Sequence, residues 1–314
     1  MLAVLTAVLV GVIAVLFWAQ QSLGGQIDRL PDALPSGSDR PAASASGATN
    51  ILFLGSDKRA DGSIAGQRSD TMMLVHIDAD RQGATIVSIP RDSWVEIPGH
   101  GRGKINAAFA YGGTALAVET IEDLTGLRID HVAAIDFEGF QALTDALGGV
   151  TITIPETVTD GYSGRVWKAG THHMDGETAL AYVRQRAGLP GGDLDRVKRQ
   201  QNLMRTLFED LLSRDTLSSP TTLYRSLDAI TSNLAVDEDW STAQMRNLAL
   251  SMRSVRGDDI IFTTVPVKGT GMEGAQSVVY LDEAAAQELW TALAEDRGAQ
   301  WVRDHDAALG DEVS

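Results

Sequence analysis

The sequence contains no cysteine. That absence removes a disulfide framework, a thiol nucleophile and a cysteine-type zinc site together. Positive charge is also scarce: 26 Lys and Arg stand against 42 Asp and Glu, a formal net charge of −16. Sequence-independent affinity for nucleic acid comes from a basic surface, so nucleic acid is not an expected partner, and any anionic ligand must meet a local basic patch. Neither a Gly-x-Ser-x-Gly elbow nor a Walker-type phosphate loop occurs. The six histidines, including the pair His172-His173, show no zinc-type spacing, and surface or loop roles are their default. Gly269 to Gly274 matches the dinucleotide fingerprint, but β-prone residues follow where a helix should start, so the segment is read as a turn.

One long apolar run is present. Leu2 to Ala19 carries no charge over eighteen residues, which at about 1.5 Å per residue just crosses a bilayer core. Trp18 sits where an interfacial aromatic would sit. A cleaved signal peptide is the alternative, but the run exceeds the usual apolar region and no small-x-small site follows closely. No Lys or Arg precedes the run, so the positive-inside bias has nothing to count. Residues 1–19 are therefore expected to be a transmembrane anchor. Residues 20–49, rich in Gly, Pro, Ala and Ser, read as a flexible linker.

From Asn50 onwards short β-rich runs alternate with helical patterns. Strands are expected at Ile51 to Leu54, Met72 to Ile77, Ala84 to Ile89, His131 to Asp136, Val150 to Ile154, Ile260 to Val267 and Val278 to Tyr280. Helices are expected at Thr114 to Thr125, Phe137 to Leu147, Gly176 to Val183, from about Asp193, around Thr242 to Ser254, and from a cap at Asp282 to about Leu293. Gly148-Gly149 reads as a C-terminal glycine stop. The interleaving implies one α/β domain, a mixed central sheet covered on both faces, over residues 50–296, with 297–314 as a tail.

If the first three strands run up, down and up, then three polar segments share one sheet edge: Gly55-Ser56-Asp57 after the first, Asp70-Thr71 before the second and Arg91-Asp92 after the third. Two carboxylates, Asp57 and Asp70, would converge there, and a divalent hard cation is the usual neutraliser. The plain alternative makes both Asp turn residues and pairs Arg91 with Asp92 on the surface. A second cluster lies downstream. From Arg184 to Arg205 there are six basic residues and two acids. Arg184 and Arg186 would share one side of an extended segment, and Arg196, Arg199 and Gln200 one helix face. Arginine grips phosphate oxygens in a bidentate fork, so an anion belongs here. The alternative is an exposed basic helix face with surface salt bridges. Asp193 suits a helix N-cap as well as catalysis.

Read in order, GSDKR, RSDTMML, SIPRD, KINAAFAYGG, DFEGFQALTDALGGVTITIP, DGETALAYVRQR and DLDRVKRQ resemble the LytR-CpsA-Psr domain from about Asn50 to Arg205. The segment VVYLDEAAAQELWTAL resembles the end of that domain. The resemblance implies an α-β-α sandwich holding a polyprenyl pyrophosphate lipid, in a single-pass, outward-facing membrane protein. It makes Asp57 and Asp70 the acids associated with Mg2+ (or Mn2+), and Arg91, Arg184, Arg186, Arg199 and Gln200 the pyrophosphate-contacting set. Lys104 and Arg196 match further motif positions. Phe137, Phe140, Leu143, Leu147 and Val150 become lipid-tunnel candidates, with plain core packing as the alternative for each. The uncharged stretch Ala187 to Gly192 departs from relatives that carry basic residues there.

The implied activity is transfer of a glycopolymer, of the teichoic acid or arabinogalactan kind, from its lipid carrier onto a peptidoglycan sugar hydroxyl. Catalytic roles then fall on Asp57, Asp70 and Arg91. Rival readings are a polyprenyl pyrophosphatase with water as acceptor, a non-enzymatic transcriptional attenuator, and a passive wall-binding module. Net acidity and the lack of a basic reading helix count against the attenuator.

Overall fold

The computed structural model describes residues 27–37, 40–44, 46–56, 71–185, 187–189, 193–211 and 213–307. Seven strands form one mixed sheet: β1 (Asp28–Leu30), β2 (Thr49–Ser56), β3 (Thr71–Ile77), β4 (Ala84–Ser88), β5 (His131–Asp136), β6 (Leu234–Asp237) and β7 (Ile260–Thr264). Their spatial order is β1-β6-β5-β2-β3-β4-β7. β2 is antiparallel to β3 and β3 to β4, whereas β5 is parallel to β2 and β7 to β4. Every residue of β4 and most of β3 are buried, as central strands covered on both faces must be.

The helices are α1 (Ile105–Thr125), α2 (Phe137–Ala146), α3 (Gly176–Arg184), α4 (Asp193–Leu211), α5 (Arg214–Ser218), α6 (Pro220–Asn233), α7 (Thr242–Ser251), α8 (Glu283–Ala294) and α9 (Gly298–Asp304). Alternate residues of β2 point to opposite faces. Leu52 and Leu54 join a core with Ile121 of α1, Leu289 and Trp290 of α8 and Val302 of α9. Ile51 and Phe53 meet the other layer, where Met204 and Phe208 of α4 and Met245 and Leu248 of α7 pack. The expected helix-sheet-helix layering around a mixed sheet is what the chain builds. A second apolar cluster lies between α3, α4 and the hairpin of Val150–Ile154 with Gly170–Met174.

Four sequence expectations need correction. The stretch read as a linker is, from Asp28, part of the fold: β1 forms an edge strand on β6, and Leu30 and Ala33 are buried. Three strand residues among Pro, Gly and Ser are too few to show a period. The tail is also folded as far as α9, because Trp301 and Val302 are buried against the core. Gly269 to Glu273 is strand in a hairpin with Gln276–Leu281, the turn falling at Gly274 with φ 61°. Arg184 closes a helix rather than opening an extended segment, which begins only at Gln185 with ψ 131°. The anchor expectation, residues 1–19, lies outside the described residues. No helix among the described residues is long and apolar enough to cross a membrane.

Candidate functional site

The up, down, up arrangement of β2, β3 and β4 is present. Gly55 pairs with Thr71, Met73 pairs with Ser88, and the Ile89 amide donates to the Met72 carbonyl at 2.9 Å. The end of β2, the start of β3 and the end of β4 therefore share one edge, joined by the end of β5, where Asp136 pairs with Ser56. Asp57 and Asp70 directly follow β2 and precede β3 in the chain, and they lie outside the described residues, as does Arg186.

Beyond β4, the Ser93 amide and hydroxyl both donate to the Pro90 carbonyl, and the Asn106 amide donates to that of Arg91. This turn presents Arg91 and Asp92 beside the start of α1. The Asp92 carboxylate is shared by two cations, with Lys104 Nζ at 3.0 Å and Arg91 Nε at 3.8 Å. Two positive charges on one carboxylate leave the group net cationic.

The second cluster is built at the α3–α4 corner. Arg196 and Arg199 are 2% and 4% exposed, which removes the reading of an exposed basic face for these two. Arg199 Nη1 donates to Gln185 Oε1 at 2.8 Å, and its guanidinium stacks 4.3 Å from the Tyr182 ring centroid. Burial lowers the Arg199 pKa, with Tyr182 and Asp195 opposing, while burial raises that of the Tyr182 phenol. Arg184, in the last turn of α3, is exposed. The Thr71 hydroxyl donates to Gln200 Oε1 at 3.3 Å and ties α4 to the start of β3.

A small cavity opens at this edge. Gly55 and Thr71 from the sheet, Asp136 and Phe140 at the start of α2, and Arg184 and Gln200 from the corner all line it. Leu180, Val183, Leu203 and Met204 supply apolar walls. Of the other lipid-tunnel candidates, Val150 is wholly buried and Leu147 packs in the second apolar cluster, together with Phe140. Leu143 is buried, and Phe137 begins α2.

Sequence reasoning missed three members. Asp136 lines the cavity while capping α2 by accepting from the Gly139 amide at 2.8 Å; an Asp three residues before a glycine at a helix start is the signal that could have found it. Gln185 and Tyr182 act through Arg199, and no spacing rule marks them.

A LytR_cpsA_psr family model matches residues 30–295. The chain belongs to the LytR-CpsA-Psr family. Among LytR-CpsA-Psr relatives, the cell wall biosynthesis protein LcpA of Corynebacterium glutamicum is 35% identical over 283 residues, 76% of this chain and 54% of the relative. The chain thus spans about half the length of that relative. The polyisoprenyl-teichoic acid–peptidoglycan teichoic acid transferase TagU of Enterococcus faecalis is 32% identical over 262 residues, covering 80% of this chain and 84% of TagU. The solved structure of TagT bound to LIIa-WTA has a TM-score of 0.63 at 28% identity, covering 84% of this chain and 99% of that one. The family match begins inside β1, in keeping with that strand being part of the domain.

Proposed function

We propose that this chain transfers a glycopolymer from a polyprenyl-pyrophosphate carrier to a hydroxyl of a peptidoglycan sugar. The observation that carries the proposal is one sheet edge that joins an apolar cavity, rimmed by Arg184 and Gln200, to the cationic Arg91-Asp92-Lys104 group. A lipid diphosphate has the same two halves. The activity in the name of TagU and the LIIa-WTA bound to TagT support the same substrate class.

The cavity has room for about 50 Å³, enough for a few water molecules. A polyprenyl tail would enter by parting α2, α3 and α4, and Phe137, Phe140, Leu143, Leu147 and Val150 would line its path. Arg91, Lys104, Arg184 and Arg186 would hold the diphosphate oxygens, with Arg196, Arg199 and Gln200 fixing the corner behind them. Phosphoryl transfer asks the protein mainly for positioning and charge neutralisation. The acceptor oxygen bonds to the phosphorus that bears the glycopolymer, the bridging P–O bond breaks, and polyprenyl phosphate leaves with the electron pair. The hydroxyl proton passes to Asp57 or Asp70.

These two carboxylates also suit a hard cation, Mg2+ or Mn2+, which when bound would neutralise charge on the diphosphate. Gly55 favours so close a meeting of chain ends, since a Cβ there would stand 2.9 Å from that of Thr71. Leu2 to Ala19 would anchor the chain in the cell membrane with the domain on the outer side.

The test uses the full chain, a lipid-linked glycopolymer and a peptidoglycan oligosaccharide. Wild type is expected to form the conjugate in the presence of Mg2+. Arg91→Ala and Asp70→Ala are expected to abolish transfer with unfolding temperatures near that of wild type. Unchanged attachment by either variant ends the proposal, and lipid phosphate released without acceptor assigns the site to a pyrophosphatase.

A further inference from the structure

At the opposite end of β3, His76 is 1% exposed and lies beside two carboxylates. Its ring nitrogens can be told apart. Asn50 Nδ2 donates to the Arg128 carbonyl at 2.9 Å, which fixes the amide and turns Oδ1 towards His76 Nδ1 at 2.7 Å. An amide oxygen only accepts, so Nδ1 carries the proton and Nε2 of the neutral ring keeps its lone pair. That lone pair points at Asp296 Oδ1, 3.2 Å away. Asp78 adds a third acceptor, and one ligand atom from each of the three residues lies within 4.8 Å of the others.

Three acceptors within 4.8 Å of one another repel unless a positive charge stands among them. The cluster is also built. The Ala79 amide donates to both Asp296 oxygens, and Asp296 holds a left-handed φ of 61° just after α8. A Cβ on Gly83 would stand 2.8 Å from Asp78 Oδ2, so only glycine leaves that carboxylate its place.

We propose that His76 Nε2, Asp78 and Asp296 bind one divalent cation of borderline softness, with Zn2+ as the best match, which clamps the sheet to the α8–α9 turn. One imidazole and two carboxylates, with water completing the shell, suit zinc better than magnesium. Asn50 is the outer hydrogen-bond acceptor that metal-bound histidines almost always have. The site is separate from the phosphate edge: β3 has seven residues, which at about 3.4 Å each puts its ends roughly 20 Å apart.

The experiment is calorimetric titration of the chelator-treated full chain with Zn2+, with Co2+ absorption as a check for a nitrogen ligand. One equivalent is expected for wild type. His76→Gln and Asp296→Asn should lose it, Asn50→Ala should bind about 10- to 100-fold more weakly, and Asp57→Asn should bind as wild type does. If His76→Gln does not fold, the half-exposed Asp78→Asn decides in its place. Zinc binding that is absent in wild type, or unaltered in the His76 and Asp296 variants, overturns the proposal. So does an unfolding temperature that ignores Zn2+, which would leave His76 and Asp296 as a simple hydrogen-bonded pair. Loss of Mg2+-dependent transfer in Asp57→Asn alone would leave this site standing, so the two proposals fail separately.

Discussion

Arg199 shows what the corner of the site asks of one side chain. Its guanidinium is planar, buried, bonded to Gln185 and stacked on Tyr182. Lysine keeps the charge but has neither the plane nor the fork. Arg199→Lys is therefore expected to cost about 1–3 kcal/mol, a fall of roughly 3–9 °C in calorimetric midpoint, with transfer reduced at least about tenfold by a displaced corner. An unchanged midpoint would show that the stack contributes nothing. Asp210, half-buried near the end of α4, gives a pH-dependent prediction: burial raises its carboxyl pKa, with His173 opposing. An acid whose folded pKa is raised contributes its full stability at low pH and loses it as pH rises through that value. Asp210→Asn should match wild type at about pH 3 and unfold about 1–2 °C higher at neutral pH, a small gain because solvent screens the group. The reverse ordering would refute the burial argument. At this scale the sequence announced the basic residues through their spacing but not that Arg196 and Arg199 are buried, which depends on what packs against α4. It hid His76 altogether, because Asp296 lies 220 positions away.

Elements were easier to foresee than their neighbours. β2, β3, β4 and β5 were expected within a few residues, since each is an apolar β-rich run between turn residues. The site edge followed from their alternating direction. α6 is not among the expected helices, although Ser219 caps it, Pro220 opens it and Leu223, Leu227 and Ile230 recur at helical spacing. The helix expected from Thr114 is the second half of α1, which kinks at Gly112 and Gly113. Gly148 and Gly149 follow α2 as the glycine stop, and the two residues separate two physical effects. Gly148 has φ 91° with nothing near a would-be Cβ, whereas at Gly149, φ 98°, a Cβ would stand 2.6 Å from His173 Nε2 and 2.8 Å from the Met174 carbonyl. Gly148→Ala should cost only the backbone strain, about 1 kcal/mol. Gly149→Ala adds a clash and should cost about 2–4 kcal/mol, read from urea midpoints at constant slope. Equal losses at the two positions would mean that the hairpin yields freely.

At the scale of the molecule, the question is where the folded unit starts. Composition sets the boundary at Asn50, but Arg40 contradicts it. Its Nη2 lies 2.7 Å and its Nε 3.0 Å from the two oxygens of Glu122, a residue 2% exposed in the last turn of the core helix α1. The same carboxylate accepts from the Ile129 amide at 2.8 Å. Removing Arg40 leaves a buried carboxylate without its cation, which costs about 3–5 kcal/mol. Losing β1 also forfeits the burial of Leu30, worth about another 2 kcal/mol. Against a net stability of about 5–15 kcal/mol, a chain beginning at Asn50 should unfold at least about 10 °C below the full chain. One beginning at Ile27 should keep the full midpoint. Arg40→Met in the full chain separates the ion pair from the strand, because it removes the cation and leaves β1 paired. If the Asn50 and Ile27 chains melt together, the segment from residue 27 is an ornament on a domain that is complete without it. If they differ as expected, the α1 core and the sheet edge depend on a segment that composition alone assigns to a tether.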